Sequence, residues 1–304
     1  MKIDIADLDC VYLSYDEPQK EKFWVQIQNI VPWAKRVDGV KGSDAAHKAC
    51  ADVSETERFV LIDGDNLPDA EFFDQQLDIT DENKEAVFRW RARNHINGLR
   101  YGNGGLSCWT KKFIQTMRTH ENSDGDDSTA VEFCFDANYW PMKDCWSTTY
   151  PNGSAEHAWR AGFREGVKMC LDRGSRPTLD TFKQTAHQQN LNNLSVWHSV
   201  GRDVEHGEWA IAGARQGTVE TMIKGWDYKE VQCFDQLKKI WDDTRSTFIL
   251  KEEFGFGCAE IIDRYTPELT RLSITPVELN SEQSKFFKYH YNETEIKYGI
   301  MVRE

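Results

Sequence analysis

The sequence predicts an α/β fold in which a mixed, mainly parallel sheet is flanked by helices. Short apolar runs of strand length alternate with segments whose apolar residues recur at helical spacing. The first 68 residues follow the order β-α-β-α-β, and helical periodicity dominates from about residue 226. We therefore predict a main domain over residues 1–225, with halves 1–115 and 116–225. A mostly helical C-terminal elaboration over residues 226–304 would pack on it.

The first half of the chain supplies a Rossmann-like half-domain. We predict strands at residues 9–14 and 36–40, with a helix over residues 19–31 between them. Ser43 is a favourable N-cap for a second helix, and the alanines behind it are strong helix formers. A helix N-terminus beside Lys41 would suit an anion. The first strand ends in the polar turn Ser14-Tyr15-Asp16-Glu17-Pro18, at the edge where open α/β sheets bind ligands.

The third strand, with the apolar run Phe59–Ile62, ends in two carboxylates. Its continuous apolar run is typical of a buried strand, and it passes directly into Asp63-Gly64-Asp65 before stopping at Asn66 and Pro68. Desolvating two carboxylates is costly unless another group compensates the charge, and a divalent cation bound to phosphate is the usual compensation. The alternative is a turn with solvated aspartates, which the motif alone favours.

A fourth strand over residues 86–93 places three arginines on one face of the sheet. Period two separates Arg89, Arg91 and Arg93 from the apolar residues between them. The arginines either pair with the chain's own carboxylates or contact phosphate. A Gly-rich loop over residues 101–107 follows, and its glycines would let the backbone approach a ligand closely.

The second half of the chain contains two more regions of interest. Ser154 caps a predicted helix that reaches about Leu171, and its basic stripe is either a solvated face or a phosphate contact. A further helix is predicted over residues 178–190. A helix of small residues begins at Gly207, and Glu208 in its first turn is a candidate general base. His198 and His206 lie nearby, as structural residues or as contacts. The basic stripe of the helix that Ser154 caps consists of Arg160, Arg164 and Lys168.

Other segments are less informative. Residues 121–128 predict an exposed acidic loop, residues 129–153 permit no assignment, and residues 229–246 contain an amphipathic helix. Residues 254–257 predict a loop. Residues 285–291 interleave aromatic and basic side chains, which predicts either a strand or a surface that stacks on bases.

Composition excludes several classes of protein. No apolar run approaches the length of a membrane span, and the acidic N-terminus does not predict a signal peptide. Eight cysteines without a C-x-x-C pair predict reduced, buried thiols in a cytoplasmic protein and make a zinc site unfavourable. The net charge of −13 disfavours a polyanionic partner on average, although local basic stripes remain possible contacts.

Together these motifs resemble the GT-A class of nucleotide-sugar glycosyltransferases. Asp63 and Asp65 match the D-x-D pair that holds a divalent metal on the donor diphosphate in that class. The segment from Gly104 and Gly105 through Phe113 is similar to the Gly-Gly-aliphatic segment that lies over the donor sugar. The segment from Gly207-Glu208 through Arg215 and Gly217 is similar to the helix that carries the acceptor-activating carboxylate.

The sequence departs from the GT-A pattern at two positions, and it resembles one particular family more closely. Trp209 stands where the family has a second acidic residue, and no histidine closely follows Glu208 as a further metal ligand. Residues 9–220 look more closely like a glycosyltransferase family of tailed phages, including those of cyanobacteria. The signatures are Ser14–Pro18, Gly39–Gly42, Ile62–Asp65, Tyr101–Gly105 and Gly207–Gly213.

The resemblance implies metal-dependent transfer of a sugar from a nucleotide sugar, preferably a UDP-sugar, with Mn²⁺ or Mg²⁺ as cofactor. Residues 1–115 would bind the donor and residues 116–225 the acceptor. Asp63 and Asp65 would hold the metal, and Glu208 would be catalytic. The favoured acceptor is a hydroxylated base of the 5-hydroxymethylcytosine type in duplex phage DNA. Donor contacts would come from Ser14, Tyr15, Asp16, Lys41, Asp63, Gly104 and Gly105, and acceptor or phosphate contacts from Arg89, Arg91, Arg93, His198 and His206.

Three alternatives stay open at this point. A glycosyltransferase of this kind can act on a glycan or a protein instead of DNA. A nucleotidyltransferase would share the early β-α-β order and the acidic motif, but residues 14–18 lack the Gly-rich, basic phosphate loop that such enzymes carry. A binding module with an inactive site is the third possibility. The sugar, the nucleotide, the stereochemical outcome and the oligomeric state do not follow from the sequence.

Overall fold

The computed structural model describes residues 1–117, 119–122, 133–134, 137–248 and 258–298. The chain divides into two compact units. The first comprises Met1–His95, Arg100–Asp124 and Glu132–Gly153, and the second comprises Ile96–Leu99, Gly125–Val131 and Ser154–Glu304. The predicted boundary at residue 225 therefore lies within the second unit. Most of the predicted acidic loop over residues 121–128, and the whole predicted loop over residues 254–257, lie outside the described residues.

The first unit contains the β-rich part of the chain. Its strands are β1 (Lys2–Asp4), β2 (Asp9–Ser14), β3 (Lys35–Asp38), β4 (Arg58–Asp63), β5 (Asn66–Pro68), β6 (Gln76–Asp78), β7 (Val87–Asn94), β8 (Arg100–Thr110) and β9 (Tyr139–Thr149). Its helices are α1 (Lys20–Ile30), α2 (Ser43–Val53) and α3 (Lys111–Thr116). The predicted β-α-β-α-β order of the first 68 residues is confirmed.

The sheet is mixed, so the prediction that it is mainly parallel is wrong. Seven strands follow the order β3-β2-β4-β8-β7-β9-β5, and β1 pairs with β6 in a separate ribbon. β2 is parallel to both β3 and β4, and β7 is parallel to β9. β8 runs antiparallel to both β4 and β7, and β5 runs antiparallel to β9. The α/β class is confirmed, and the parallel arrangement is confined to the first half-domain and one later pair.

β4 is an interior strand of the sheet, between β2 and β8, and is buried on both faces. Phe59 and Leu61 pack into one cluster with α2 and α3, whereas Val60 and Ile62 pack into another with α1. A strand covered on both faces needs apolar residues at every position, which explains the uninterrupted run in the sequence. Asp63 is therefore the first polar residue at the end of a buried strand.

Two sequence predictions in the first unit need correction. Residues 101–107 belong to β8 and not to a Gly-rich loop, because Tyr101, Gly102 and Ser107 pair with β7, and Leu106 and Ser107 pair with β4. Ser43 is the first residue of α2, and the N-cap is Gly42, whose φ of 94° suits a glycine. β9 was not predicted, since Tyr139–Thr149 mixes aromatic and polar side chains without clear alternation.

The second unit is helical in its described residues. Its helices are α4 (Ala155–Lys168), α5 (Phe182–Thr185), α6 (Gln188–Trp197), α7 (Gly207–Met222), α8 (Phe234–Phe248), α9 (Cys258–Arg271) and α10 (Ser281–Tyr298). The Ser154 cap of α4 is confirmed, since its hydroxyl accepts a bond from the His157 backbone N–H. The single helix predicted over residues 178–190 is wrong, because α5 ends at Thr185 and α6 begins at Gln188. Residues 285–291 lie in α10 and do not form a strand.

Helices α4 and α7 pack backbone to backbone through glycines. A Cβ on Gly162 would lie 1.9 Å from the carbonyl oxygen of Ala210, and one on Gly213 would lie 2.1 Å from that of Trp159. Gly166 and Gly217 make equally close approaches one turn further along. The small residues of α7 therefore serve a close helix–helix contact. Among the described residues, no helix has the length and apolar character that crossing a bilayer requires.

Candidate functional site

The Asp63-Gly64-Asp65 turn lies at the carboxyl ends of two adjacent parallel strands. Leu13 of β2 is the register partner of Asp63 at the end of β4. The hydroxyl of Tyr12 donates a 2.8 Å hydrogen bond to the carbonyl of Gly64, and the backbone N–H of Tyr150 donates a 2.7 Å bond to the carbonyl of Asp65. The turn is thus fixed from both sides by hydrogen bonds to its backbone carbonyls.

Glu17 adds a third carboxylate to the turn. A Cβ on Gly64 would lie 2.4 Å from Oε2 of Glu17, so the glycine makes room for this side chain. The same oxygen accepts a 2.7 Å hydrogen bond from the backbone N–H of Tyr15. Glu17 was part of the predicted polar turn but was not singled out, because its approach to Gly64 depends on the pairing of β2 with β4.

The negative charges of these carboxylates repel one another. Burial, together with the charges of Asp65 and Glu17, raises the pKa of Asp63 to about 8. Burial, together with Asp65 and Asp16, also raises the pKa of Glu17 above its usual value. A nearby cation favours the charged form of a carboxylate and would reverse both effects. The cluster therefore has the charge pattern of a site that receives a cation.

The chemistry of the donor set fits Mg²⁺ or Mn²⁺. Among the described residues, no group of three or more His, Cys, Asp or Glu side chains is arranged to hold a metal ion. Mg²⁺ is commonly bound by one or two carboxylates together with substrate phosphates, and its ligands are hard oxygens. Asp63 and Asp65 match that type of site.

The raised pKa of Asp63 predicts an unusual pH dependence of stability. The unfolded chain ionises this carboxyl near pH 4, whereas the metal-free folded protein keeps its proton until about pH 8. The stabilisation that the folded state gains by keeping Asp63 protonated is thus full below pH 4. It is lost as pH rises to about 8, and the free energy of unfolding falls by at most ~1.4 kcal/mol per pH unit. We expect chemical denaturation in EDTA to show a steeper loss of stability between pH 5 and 8 in the wild type than in Asp63→Asn.

A matched substitution separates this effect from the general titration of an acidic protein. Asp81 has a side chain that is 99% exposed, so Asp81→Asn should keep the wild-type slope. Equal slopes in the wild type and in Asp63→Asn would show that Asp63 is ionised throughout this range, and the cation argument would lose its electrostatic basis.

The predicted donor contacts in the 14–18 turn differ in solvent exposure. Ser14 is buried and donates a 2.7 Å hydrogen bond to Asp38, while Arg36 donates to the Ser14 hydroxyl. Its side chain therefore organises the strand end. Tyr15 is 43% exposed, and Asp16 is exposed beside it. These two side chains and Pro18 are the exposed residues of the turn.

The N-terminus of α2 does contact an anion, but the anion belongs to the chain. The backbone N–H groups of Ser43 and Asp44 donate to the carboxylate of Glu121, at 2.7 and 3.0 Å. This accords with the preference of a helix N-terminus for negative charge. Lys41 is exposed just before the helix.

The predicted glycines lie in β8, and one of them contacts the acidic turn. Gly104 and Gly105 both belong to this strand. A Cβ on Gly105 would lie 2.1 Å from Nδ2 of Asn66, so only a glycine leaves space for the Asn66 amide. Asn66 was interpreted from sequence as a strand stop, and its position beside Gly105 comes from long-range pairing.

The arginines of β7 alternate as predicted. Phe88, Trp90 and Ala92 are buried, whereas the three arginines are partly exposed. The guanidinium of Arg89 lies 4.7 Å from the ring centroid of Tyr139, and Arg93 donates to the hydroxyl of Thr148 at 3.5 Å. Arg89 and Arg93 thus have partners within the first unit, and Arg91 lies at an irregularity between β7 and its neighbours.

Glu208 lies in the first turn of α7, within the second unit. Its Oε1 accepts a 2.9 Å hydrogen bond from Nε of Arg202, with which it forms a salt bridge, and its side chain is 50% exposed. His206 precedes the helix with a positive φ of 58°. Since Arg202 neutralises the Glu208 carboxylate, a general base at this position must give up the ion pair as it takes a proton.

His198 and Arg215 are interior residues of the second unit. Burial and the Arg215 charge lower the pKa of His198 to about 3, so the ring is neutral, and it lies 3.0 Å from the hydroxyl of Thr218. Arg215 is fully buried, donates twice to the His198 carbonyl and pairs with Glu278 at 2.6 Å. A buried, neutral histidine does not suit a phosphate contact, and both residues instead connect α6, α7 and the segment before α10.

Comparisons with known proteins show only weak structural similarity. No protein-family model matches the chain, and no curated protein matches it. Among solved structures, the chain is similar to a glycosyltransferase involved in glycosylation of the major capsid of PBCV-1, with 13% identity and a TM-score of 0.31 over 49% of this chain and 96% of the other. It is also similar to HddC from Yersinia pseudotuberculosis, with 16% identity and a TM-score of 0.25 over 50% of this chain and 76% of the other. At these TM-scores neither likeness carries an argument about function.

Proposed function

We propose that the protein is a metal-dependent glycosyltransferase of GT-A-like fold that uses a nucleotide-sugar donor. The observation that carries the proposal is the set of mutually opposed carboxylates at the carboxyl ends of adjacent parallel strands, where burial raises the pKa of Asp63 to about 8. Ligands of open α/β sheets bind at this edge. The sequence resemblance supplies the reaction class.

The residues of the acidic turn would hold the donor diphosphate through Mn²⁺ or Mg²⁺. Asp63 and Asp65 provide the carboxylates, and Tyr12 and the Tyr150 backbone hold the turn in place. When bound, the cation would neutralise charge on the leaving diphosphate. The exposed ring of Tyr15 and the carboxylate of Asp16 are offered to the nucleoside, the ring for stacking and the carboxylate for a ribose hydroxyl.

Glu208 is proposed as the base that takes the proton of the acceptor hydroxyl. This role rests on the sequence resemblance and on a helix-start position that favours a carboxylate. A single displacement with such a base would invert the configuration at the sugar carbon.

A hydroxylated base in phage DNA is the acceptor we propose, and a glycan or protein is the alternative. The resemblance to phage enzymes motivates DNA. The described contacts of the basic residues do not strengthen it, because Arg89 stacks on Tyr139, and Arg160 and Arg164 lie over the ring of Phe234. A cytoplasmic location in the infected cell is part of the same proposal.

A thermal-shift screen tests the proposed donor class directly. We expect a nucleotide sugar, a UDP-sugar first among those tested, to raise the melting temperature only when Mn²⁺ or Mg²⁺ is present, because a ligand that binds the folded state stabilises it by mass action. A donor concentration of 100 times Kd corresponds to ~2.7 kcal/mol. The matched controls are metal alone and nucleotide sugar in EDTA. An equal shift in EDTA, or no shift with any nucleotide sugar, would contradict the proposal.

A further inference from the structure

Asn66 is a buried side chain whose amide has no hydrogen-bond partner among the residues that the structure describes. It is 0% exposed, and neither its Oδ1 nor its Nδ2 makes a hydrogen bond within this part of the chain. It follows Asp65 directly and begins β5, where it pairs in register with Thr149 of β9. The side chain therefore lies inside the first unit, immediately beside the acidic turn.

The surrounding backbone is shaped around this amide. A Cβ on Gly105 would lie 2.1 Å from Nδ2 and 3.1 Å from Cγ of Asn66, so the glycine is required for the asparagine to occupy its position. An apolar side chain in the same place would avoid the cost of burying an unsatisfied donor or acceptor. A buried amide that lacks hydrogen bonds, lies beside a candidate site and has space made for it by a glycine indicates a group that binds a ligand.

The chemistry of the amide limits the class of that ligand. A phosphate oxygen accepts hydrogen bonds but donates none, so it could satisfy Nδ2 and would leave Oδ1 unpaired. A hydroxyl both donates and accepts, and two neighbouring hydroxyls can satisfy both amide atoms. Asp65 would place the donor diphosphate next to Asn66 in the proposed complex. The hydroxyl-bearing group that follows a diphosphate in a nucleotide sugar is the transferred sugar.

We propose that Asn66 binds hydroxyl groups of the transferred sugar and thereby contributes to the choice of donor. The inference rests on the proposed function, since it presupposes a nucleotide-sugar donor at the acidic turn. It assigns the sugar subsite to β5 and its neighbour Gly105, within the first unit. Asn66 acts there as a binding residue and takes no part in proton transfer.

The test compares Asn66→Ala with the wild type by calorimetry in Mn²⁺, using UDP and the UDP-sugar that stabilises the wild type most among UDP-glucose, UDP-galactose, UDP-N-acetylglucosamine and UDP-xylose. We expect Kd for the UDP-sugar to rise about tenfold, as two lost hydrogen bonds would give, and Kd for UDP to change less than twofold. Stability in EDTA should stay equal or rise, because the substitution removes an orphaned amide. Thr221→Val is the matched control, since Thr221 carries an orphaned, fully buried hydroxyl in the second unit and should leave both Kd values unchanged.

The outcomes separate the inference from the proposed function. If the wild type binds no nucleotide sugar, both fail. If the wild type binds the UDP-sugar and Asn66→Ala binds it equally well, the inference alone fails. Equal weakening of UDP and UDP-sugar would place the amide at the nucleotide and overturn the sugar assignment. A marked loss of stability in EDTA would mean that Asn66 has a structural partner such as a buried water, and this result would also overturn it.

Discussion

Replacing Asp65 by alanine is expected to lower metal-dependent turnover of the donor by about three orders of magnitude. The carboxylate is one of two that would hold the cation, and its loss would remove several kcal/mol of stabilisation from the departing diphosphate. The fold should survive. The bond from the Tyr150 N–H reaches the backbone carbonyl of Asp65, which alanine retains, and one like charge is removed from beside Asp63. Release of the nucleoside diphosphate in Mn²⁺ measures the effect.

Two comparisons make this result specific to the site. Asp81→Ala removes an exposed carboxylate of the same unit and should retain full turnover. Glu208→Gln should keep the donor-dependent thermal shift while transfer to the acceptor is lost, since it would remove a base and not a metal ligand. Arg202 would still have Glu278 and the Leu279 carbonyl as partners. Wild-type turnover in Asp65→Ala would exclude a metal–diphosphate role for the turn.

The parts of the fold that the sequence predicted are those with strong local signals. The apolar run of β4 and the Ser154 cap of α4 are complete within a few residues, so neighbours in the chain specify them. Strand direction is not local. β8 contains three glycines in its first half and resembles a loop in sequence, yet it is a strand because its first residues pair with β7 and its second half pairs with both β4 and β7. Its antiparallel pairing with both neighbours, together with that of β5 with β9, makes the sheet mixed.

The candidate site divides in the same way. Asp63 and Asp65 could be identified because the motif and the strand that presents it are contiguous in the chain. Glu17 and Asn66 could not be ranked from sequence, since the contact of Glu17 with Gly64 depends on β2–β4 pairing and that of Asn66 with Gly105 depends on the position of β8. For His198 the sequence left open a structural role or a ligand contact, because burial inside a helical unit leaves no mark on a single histidine, and the observed burial favours the structural role.

Gly213→Leu is expected to prevent the second unit from folding. The Cβ alone would lie 2.1 Å from the Trp159 carbonyl oxygen and 2.9 Å from the Phe163 backbone nitrogen, and neither backbone atom can move without displacing α4. Overpacking a core commonly costs ~1–3 kcal/mol, and leucine would have to separate two helices along their whole contact. Such a cost is a large part of the ~5–15 kcal/mol that stabilises a typical domain.

A graded series distinguishes helix separation from a simple change in helix propensity. Alanine favours a helix over glycine by ~1 kcal/mol, so Gly213→Ala would be stabilising if space were available. Because even a single Cβ meets backbone here, we expect the alanine variant to be less stable than the wild type. The leucine variant should be largely unfolded by circular dichroism and by tryptophan fluorescence. Lys168→Ala, in the last turn of α4, should change stability by less than ~0.5 kcal/mol. A Gly213→Ala protein as stable as the wild type would show that α4 and α7 can separate at little cost, and the glycines would then have no steric role.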